Sequence, residues 1–371
     1  MTVDHTAGEA HIERGVAHVL YAYEVGQAID LEESQRRVTA STERATIQHK
    51  RGAPRYFDYR PAPLRVLQTA EPVAVGDYET GPHIDAVIFD FGAISVTYTI
   101  PLRGRLADLV ELSVALSDDD ALRADSRRRV ADLLAVLGPA VSRARIAAVT
   151  EAYAIFHVGE LAGGALPEEI LARHAPVLAQ ILRAEREPLS DQEVGEATAC
   201  RLAFGRADLT LIDGDAALIF GPDGEDIRAV LEFANTELLE MRYLDQQLDA
   251  ALDAAYRTLS RQTWRHVLRL GAARADLQRI AQMQVDAALL FEAVNNALKL
   301  LSDQFVARVY RFAGERFHLA DWDASILRKL ETLEGIYVKF SDLAANRRME
   351  VLEWIIIVLI VGEMALSLMR G

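Results

Sequence analysis

The stretch Met349-Glu-Val-Leu-Glu-Trp-Ile-Ile-Ile-Val-Leu-Ile-Val-Gly-Glu-Met-Ala-Leu-Ser-Leu-Met-Arg-Gly371 decides how the rest of the chain is read. From Val351 to Met369 there are 19 residues, of which Glu353, Glu363 and Ser367 are the strongly polar ones. About 20 apolar residues cover the ~30 Å hydrocarbon core of a bilayer. The stretch therefore predicts one membrane-spanning helix and its tail over 347–371. Its entrance is Leu352, Glu353, Trp354, Ile355, Ile356 and Ile357, where the Trp354 indole can rest in the headgroup layer. Arg347 and Arg348 just before it predict that the large domain faces the cytoplasm. Glu363 sits near the middle of the span, where a bare carboxylate is costly. It is either protonated or within reach of water, or it faces another helix of an oligomer. The competing reading of the whole stretch is a buried helix of a bundle.

Working outward, all 11 prolines lie at or before Pro222, and the 149 residues after it contain none. Proline breaks a helix interior, so the later part reads as long helices and the earlier part as something more irregular. The boundaries expected are a disordered tail (1–15), an α+β domain (16–222), a helical, coiled-coil-like stalk (223–346) and the membrane segment (347–371). Within the first part, His18–Val25 reads as a strand, 31–42 as a helix and 64–67 as a short strand. The segment His83–Thr99 reads as β structure, with Gly92 marking a bulge or turn and Pro101 ending it. Helices are expected over 103–116, 119–137, from Glu168 onward and over 191–204, with a strand over 145–158. Asp213-Gly214-Asp215 between the apolar runs 208–212 and 216–220 is a hairpin signal. The fold class is therefore α+β followed by a helical stalk.

Net charge is −15: 33 acidic and 22 basic residues up to Pro222, then 22 and 18. An acidic body argues against general binding of nucleic-acid phosphates. A single cysteine, Cys200, excludes an internal disulfide and a thiolate cluster. The N-terminus has neither the apolar core of a signal peptide nor the Arg-rich character of a transit peptide. The scattered histidines form no metal-binding pair, and Gly163-Gly164 lacks the context of a phosphate loop. No metal or cofactor is expected.

Two features invite a function. Asp245, Asp249, Asp253, Arg257, Arg261, Arg265 and Arg269 repeat every fourth residue, so they stack on one side of a helix. They form either a solvated ion-pair stripe or, through the arginines, a face for RNA or anionic headgroups. The run Ile84-Asp-Ala-Val-Ile-Phe-Asp90-Phe-Gly92 is similar to the first motif of haloacid-dehalogenase-like phosphotransferases, in which an Asp at a strand end attacks phosphorus. The second acid of that motif is replaced here by Gly92. The reading it leaves is a phosphate-handling hydrolase using Asp90 with Asp213 or Asp215.

Arg347-Arg348-Met349-Glu350-Val351-Leu352-Glu353-Trp354-Ile355-Ile356, with Glu363 after it and the strand Val87–Gly92 before, resembles the "required for meiotic nuclear division" family over roughly 16–368. That resemblance implies an inner-membrane protein with no established catalytic activity, some of whose relatives are associated with the translation machinery. Together these readings predict a membrane-anchored, oligomeric scaffold. Its expected partners are the lipid bilayer, further copies of itself through stalk and membrane helices, and a ribosome or other RNA–protein assembly.

Overall fold

The computed structural model describes residues 10–42, 47–49, 62–260, 285, 304–336, 338–339, 356–357 and 359–360. The chain forms two compact units, Met1–Tyr243 with Leu289–Trp322, and Leu244–Ala288 with Asp323–Gly371.

The first unit is a mixed α+β fold around a nine-stranded sheet, in the order β11-β12-β13-β10-β1-β8-β7-β4-β3. Its strands are β1 (His11–Glu24), β3 (Ile47–His49), β4 (Leu64–Thr69), β7 (His83–Ile88), β8 (Ala93–Arg105), β10 (Thr150–Leu161), β11 (Arg201–Leu202), β12 (Leu209–Ile212) and β13 (Ala216–Phe220). Two small ribbons, β2 (Ala28–Ile29) with β9 (Val141–Ser142) and β5 (Ala74–Val75) with β6 (Tyr78–Glu79), lie beside it. β10 and β13 are parallel, whereas β1, β8, β7 and β4 pair antiparallel. β1 lies at the centre, and from Ala17 to Glu24 every residue is buried. A strand covered on both faces reads as a continuous run rather than an alternation.

Alternation still decides which side chain meets which layer. Val19, Tyr21 and Tyr23 of β1 face α3 (Asp120–Leu137), where the Tyr23 hydroxyl lies 2.6 Å from Ser126 Oγ. From the neighbouring strand, the Tyr98 hydroxyl donates to Asp125 at 2.7 Å. The helices α1 (Leu31–Thr42), α2 (Leu109–Ser117) and α4 (Pro167–Arg183) complete this layer. The opposite face receives the start of α6 (Glu225–Ser260) and α7 (Gln304–Arg316), with the short α5 (Asp191–Ala197) lying against α4.

Several element bounds differ from the sequence reading. β1 begins at His11, inside the tail expected over 1–15; residues 1–9 lie outside the described residues. β8 runs through Pro101 to Arg105 rather than stopping. The β7–β8 ladder ends at Ile84 opposite Tyr98, and after the bond from Gly81 N–H to Thr99 O no pairing is seen on that side of β8 among the described residues, so the missing N–H of Pro101 is tolerated. Helix α2 starts at Leu109 rather than 103, because β8 runs to Arg105 and a 3-10 turn, Leu106–Asp108, follows it. Helix α5 ends at Ala197, which leaves Arg201–Leu202 to pair with β12. Gly92 makes a turn, not a bulge: it ends the β7–β8 hairpin at φ +112, with Gly26 O against the position of its missing Cβ. Glu225 opens α6 directly after the proline boundary, and the helix stays in the first unit as far as Tyr243.

In the second unit, Leu248, Ala251 and Ala255 of α6 and Ile326, Leu330 and Leu333 of the 319–336 helix are buried. Lys329 bridges Asp245 at 2.7 Å and Asp249 at 2.6 Å. Two of the three acids of the four-residue ladder, Asp245 and Asp249, thus serve as a helix–helix contact.

The membrane assignment is corrected. Among the described residues no helix is long and apolar enough to cross a membrane, so the single-pass inner-membrane placement with a cytoplasm-facing body does not stand. Ile356, Ile357, Leu359 and Ile360 are helical and exposed. Leu352, Glu353, Trp354, Ile355 and Glu363 lie outside the described residues.

Replacing Gly92 by Ala forces a side chain into a positive-φ turn and to within 1.9 Å of Gly26 O. The expected cost is about 3 kcal/mol or more, read as a lower urea midpoint.

Candidate functional site

Strand alternation places His18 of β1, Ser95 and Thr97 of β8, Arg65 of β4 and Asp85 of β7 on the face that meets α6. Three residues of α6, Glu225, Arg228 and Glu232, spaced three and four apart, present one side of the helix to that face. Glu232 is 2% exposed and Arg228 3% exposed, so both charges are taken out of water.

The network matches them closely. Ser95 and Thr97 hydroxyls donate to Glu232 Oε1 at 2.8 and 3.1 Å. Arg228 Nη1 donates to Glu232 Oε2 at 3.2 Å, and Arg65 Nη2 lies 3.7 Å from the same oxygen. Arg65 Nε reaches Asp85 Oδ2 at 3.2 Å. The Nε and Nη2 of Arg228 donate to Glu225 Oε2 at 3.3 and 3.2 Å. Burial pulls the Arg228 pKa down, but the carboxylates of Glu232, Glu225 and Asp85 outweigh it and hold the guanidinium above its usual value. Burial raises Glu225, yet Arg228 turns the balance and holds its carboxyl below the usual range.

His18 stands apart from this pairing. It is 6% exposed, and both ring nitrogens are buried without a hydrogen-bond partner among the described residues. Burial first, and Arg228 second, lower its pKa from 6.5 to about 3. The ring is therefore neutral at pH 7 and offers one N–H and one lone pair. On the same face of β10, His157 Nε2 lies 2.8 Å from Gly221 O, and its ring packs against Gly224, where a Cβ would sit 2.8 Å away. That contact fixes the loop leading into α6.

The residues singled out in the sequence fall elsewhere. Asp90 lies in the β7–β8 turn and Asp213 in the β12–β13 turn, both at the end of the sheet where β1 finishes. Four strand spacings separate these turns, about 19 Å at ~4.8 Å each, so they build no shared phosphate site. The Val87–Gly92 run is accounted for by turn geometry: Ile29 N–H donates to Asp90 O at 2.8 Å and Val25 N–H to Gly92 O at 2.9 Å. Asp213 lies 2.6 Å from Arg183 Nε and 3.3 Å from Arg316 Nη2, and the Tyr153 hydroxyl donates to its carbonyl at 3.0 Å. Burial nevertheless raises its pKa. Burial also pushes the Cys200 thiol up to about 11, leaving it unreactive as a thiolate. Of the arginine face, Arg257 is exposed near the end of α6; Arg261, Arg265 and Arg269 lie outside the described residues.

The buried cluster went unread in the sequence. Its one signal was Arg65 and Asp85 as charges inside apolar strands, together with Glu225-x-x-Arg228-x-x-x-Glu232 on one helix side. Helical charge patterns of that kind are usually solvated.

Comparison with known proteins gives a match over residues 14–226 to the family model described as "Uncharacterized protein MJ0711, N-terminal domain". Uncharacterized protein MJ0711 of Methanocaldococcus jannaschii is 22% identical over 222 residues, covering 59% of this chain and 66% of that protein. The chain thus spans just under two thirds of the relative's length. No solved structure matches. The resemblance to the required-for-meiotic-nuclear-division family is overturned by the family that does match.

Two measurements check this site. Glu232→Ala removes the buried counter-charge of Arg228 and the acceptor of Ser95 and Thr97, and is expected to cost about 3–5 kcal/mol of folding free energy, read by chemical denaturation. The second concerns pH. Between 6.5 and about 3 the unfolded chain binds a proton at His18 that the folded chain does not, so stability falls as pH drops through that window. From pH 6.5 to 5, above most carboxylate titration, His18→Gln is expected to lose about 2 kcal/mol less than the wild type.

Proposed function

The chain belongs to the MJ0711 N-terminal domain family through residues 14–226, and from that premise we propose that it is an interaction scaffold that self-associates through its helical unit. The α+β unit supplies a rigid body. The helical unit acts as a stalk that brings copies together.

The observation that carries this reading is apolar exposure in the helical unit. Leu327 and Val338 are 49% and 50% exposed, and Ile356, Ile357, Leu359 and Ile360 lie between 45% and 65%. The last four stand at i, i+1, i+3 and i+4 of a helix, a spacing that groups them on one broad side. Scattered surface leucines need no explanation, but a contiguous apolar side marks a surface that something covers. A second copy of the same helix offers a matching surface, as symmetric dimers require.

Sedimentation velocity in detergent-free buffer tests the proposal. The wild type is expected to sediment as an oligomer that dissociates on dilution. The double variant Leu327→Glu, Ile356→Glu is expected to weaken association at least tenfold, a change of about 1.4 kcal/mol, with far-UV circular dichroism unchanged. A wild type that stays monomeric at every concentration overturns the reading.

A further inference from the structure

We propose that His18 and the first turn of α6 form a binding site for a small carboxylate-bearing molecule, with the Glu225 carboxylate holding the ligand's place. The site is separate from the surface proposed for self-association.

Three observations on the same sheet face lead there. First, the acids beside Arg228 are not equivalent. Glu232 accepts from two hydroxyls and a guanidinium and is buried. Asp85 is held by Arg65 at 3.2 Å. Glu225, by contrast, has a side chain 68% exposed and meets the Nε/Nη2 edge of Arg228 through a single oxygen. It is the one of the three whose carboxylate reaches water, and when it swings away Arg228 keeps Glu232 as its counter-charge. The edge it leaves is the planar fork that pairs with a carboxylate bidentately.

Second, His18 is buried with neither ring nitrogen matched. A buried polar atom without a partner costs roughly 1–3 kcal/mol, so a tolerated pair of them marks a place where a further group binds. Register places the ring beside Arg228: His18 pairs with Thr99, two residues along β8 from Thr97, which bonds Glu232, and Arg228 lies one turn before Glu232 on α6. A ligand carboxylate on Arg228 can accept the imidazole N–H, and a hydroxyl on the adjoining carbon can donate to the other nitrogen. The N–H groups at the start of α6 add a favourable field for the negative charge.

Third, charge counting selects the class. Arg65 and Arg228 face Asp85, Glu225 and Glu232. Exchanging Glu225 for an external carboxylate leaves this balance unchanged. A phosphate dianion adds a further negative charge to a cluster that already carries an excess, and is disfavoured.

The imidazole resonances of the nine histidines, followed by NMR at constant ionic strength, provide the test. The probes are glycolate, acetate and inorganic phosphate, with sodium chloride as control. Glycolate is expected to shift the His18 signals saturably and to bind more tightly than acetate, while His318 stays unmoved. Glu225→Gln removes the internal competitor and is expected to tighten glycolate binding roughly tenfold. No saturable shift with either carboxylate, in both wild type and Glu225→Gln, overturns the proposal and leaves water as the group that satisfies His18. Tighter binding of phosphate than of glycolate overturns the assigned ligand class. Equal shifts with chloride mean a salt effect only, and also overturn it.

Discussion

Glu232 lies between α6 and the sheet with each oxygen matched, Oε1 by Ser95 and Thr97 and Oε2 by Arg228. A carboxylate in that position tolerates almost no displacement. Sliding α6 by one turn moves it about 5.4 Å along the strand and strips it of its hydroxyls, while Arg228 loses its counter-charge. Arg65 and Asp85 carry the same constraint to β4 and β7. Buried ion networks of this kind add little net stability over apolar packing. What the arrangement fixes here is position: one register of one helix on one face of the sheet.

The other face is held by different chemistry. There the aromatic bodies of Tyr21, Tyr23 and Tyr98 fill the core, and the hydroxyls of Tyr23 and Tyr98 reach α3. Asp125 takes the Tyr98 hydroxyl and Arg129 Nε at 2.6 Å, so the helix is located by hydrogen bonds at the end of large apolar side chains. Burial raises the Asp125 pKa, but Tyr98 and Arg129 reverse this and hold it down. Alternation along β1 therefore sorts two kinds of interaction to two layers. His18 and Leu20 look one way, and Val19 and Tyr21 the other.

Local signals carried much of the α+β unit in the sequence. The helix at Leu31–Thr42, the helix capped by Asp119 and the Asp213-Gly214-Asp215 hairpin were legible because each is written in a few neighbouring residues. Pro101 misled because its tolerance depends on where β7 stops, which is a tertiary fact. The Val87–Gly92 run looked like chemistry because a strand-end Asp before a glycine serves equally well in a turn. The charged cluster was invisible for the opposite reason. Its members come from β1, β4, β7, β8 and α6, and beyond the helical spacing of Glu225, Arg228 and Glu232 the order along the chain does not show that they meet. The apolar C-terminal stretch matched a bilayer in length and polarity alone, and neither property distinguishes lipid from another helix.

The central place of β1 has a consequence for biogenesis. Its first partner, β8, begins at Ala93, and its second, β10, ends at Leu161, opposite Ile12. A ribosome adds about 5–20 residues per second. β1, made before either partner, thus waits on the order of ten seconds before its β10 side is covered. During that interval β1 lacks at least one of its two partner strands, with its tyrosines and valines uncovered. Holding factors that engage emerging polypeptides, rather than any property of the finished molecule, would then govern how much of it reaches the folded state.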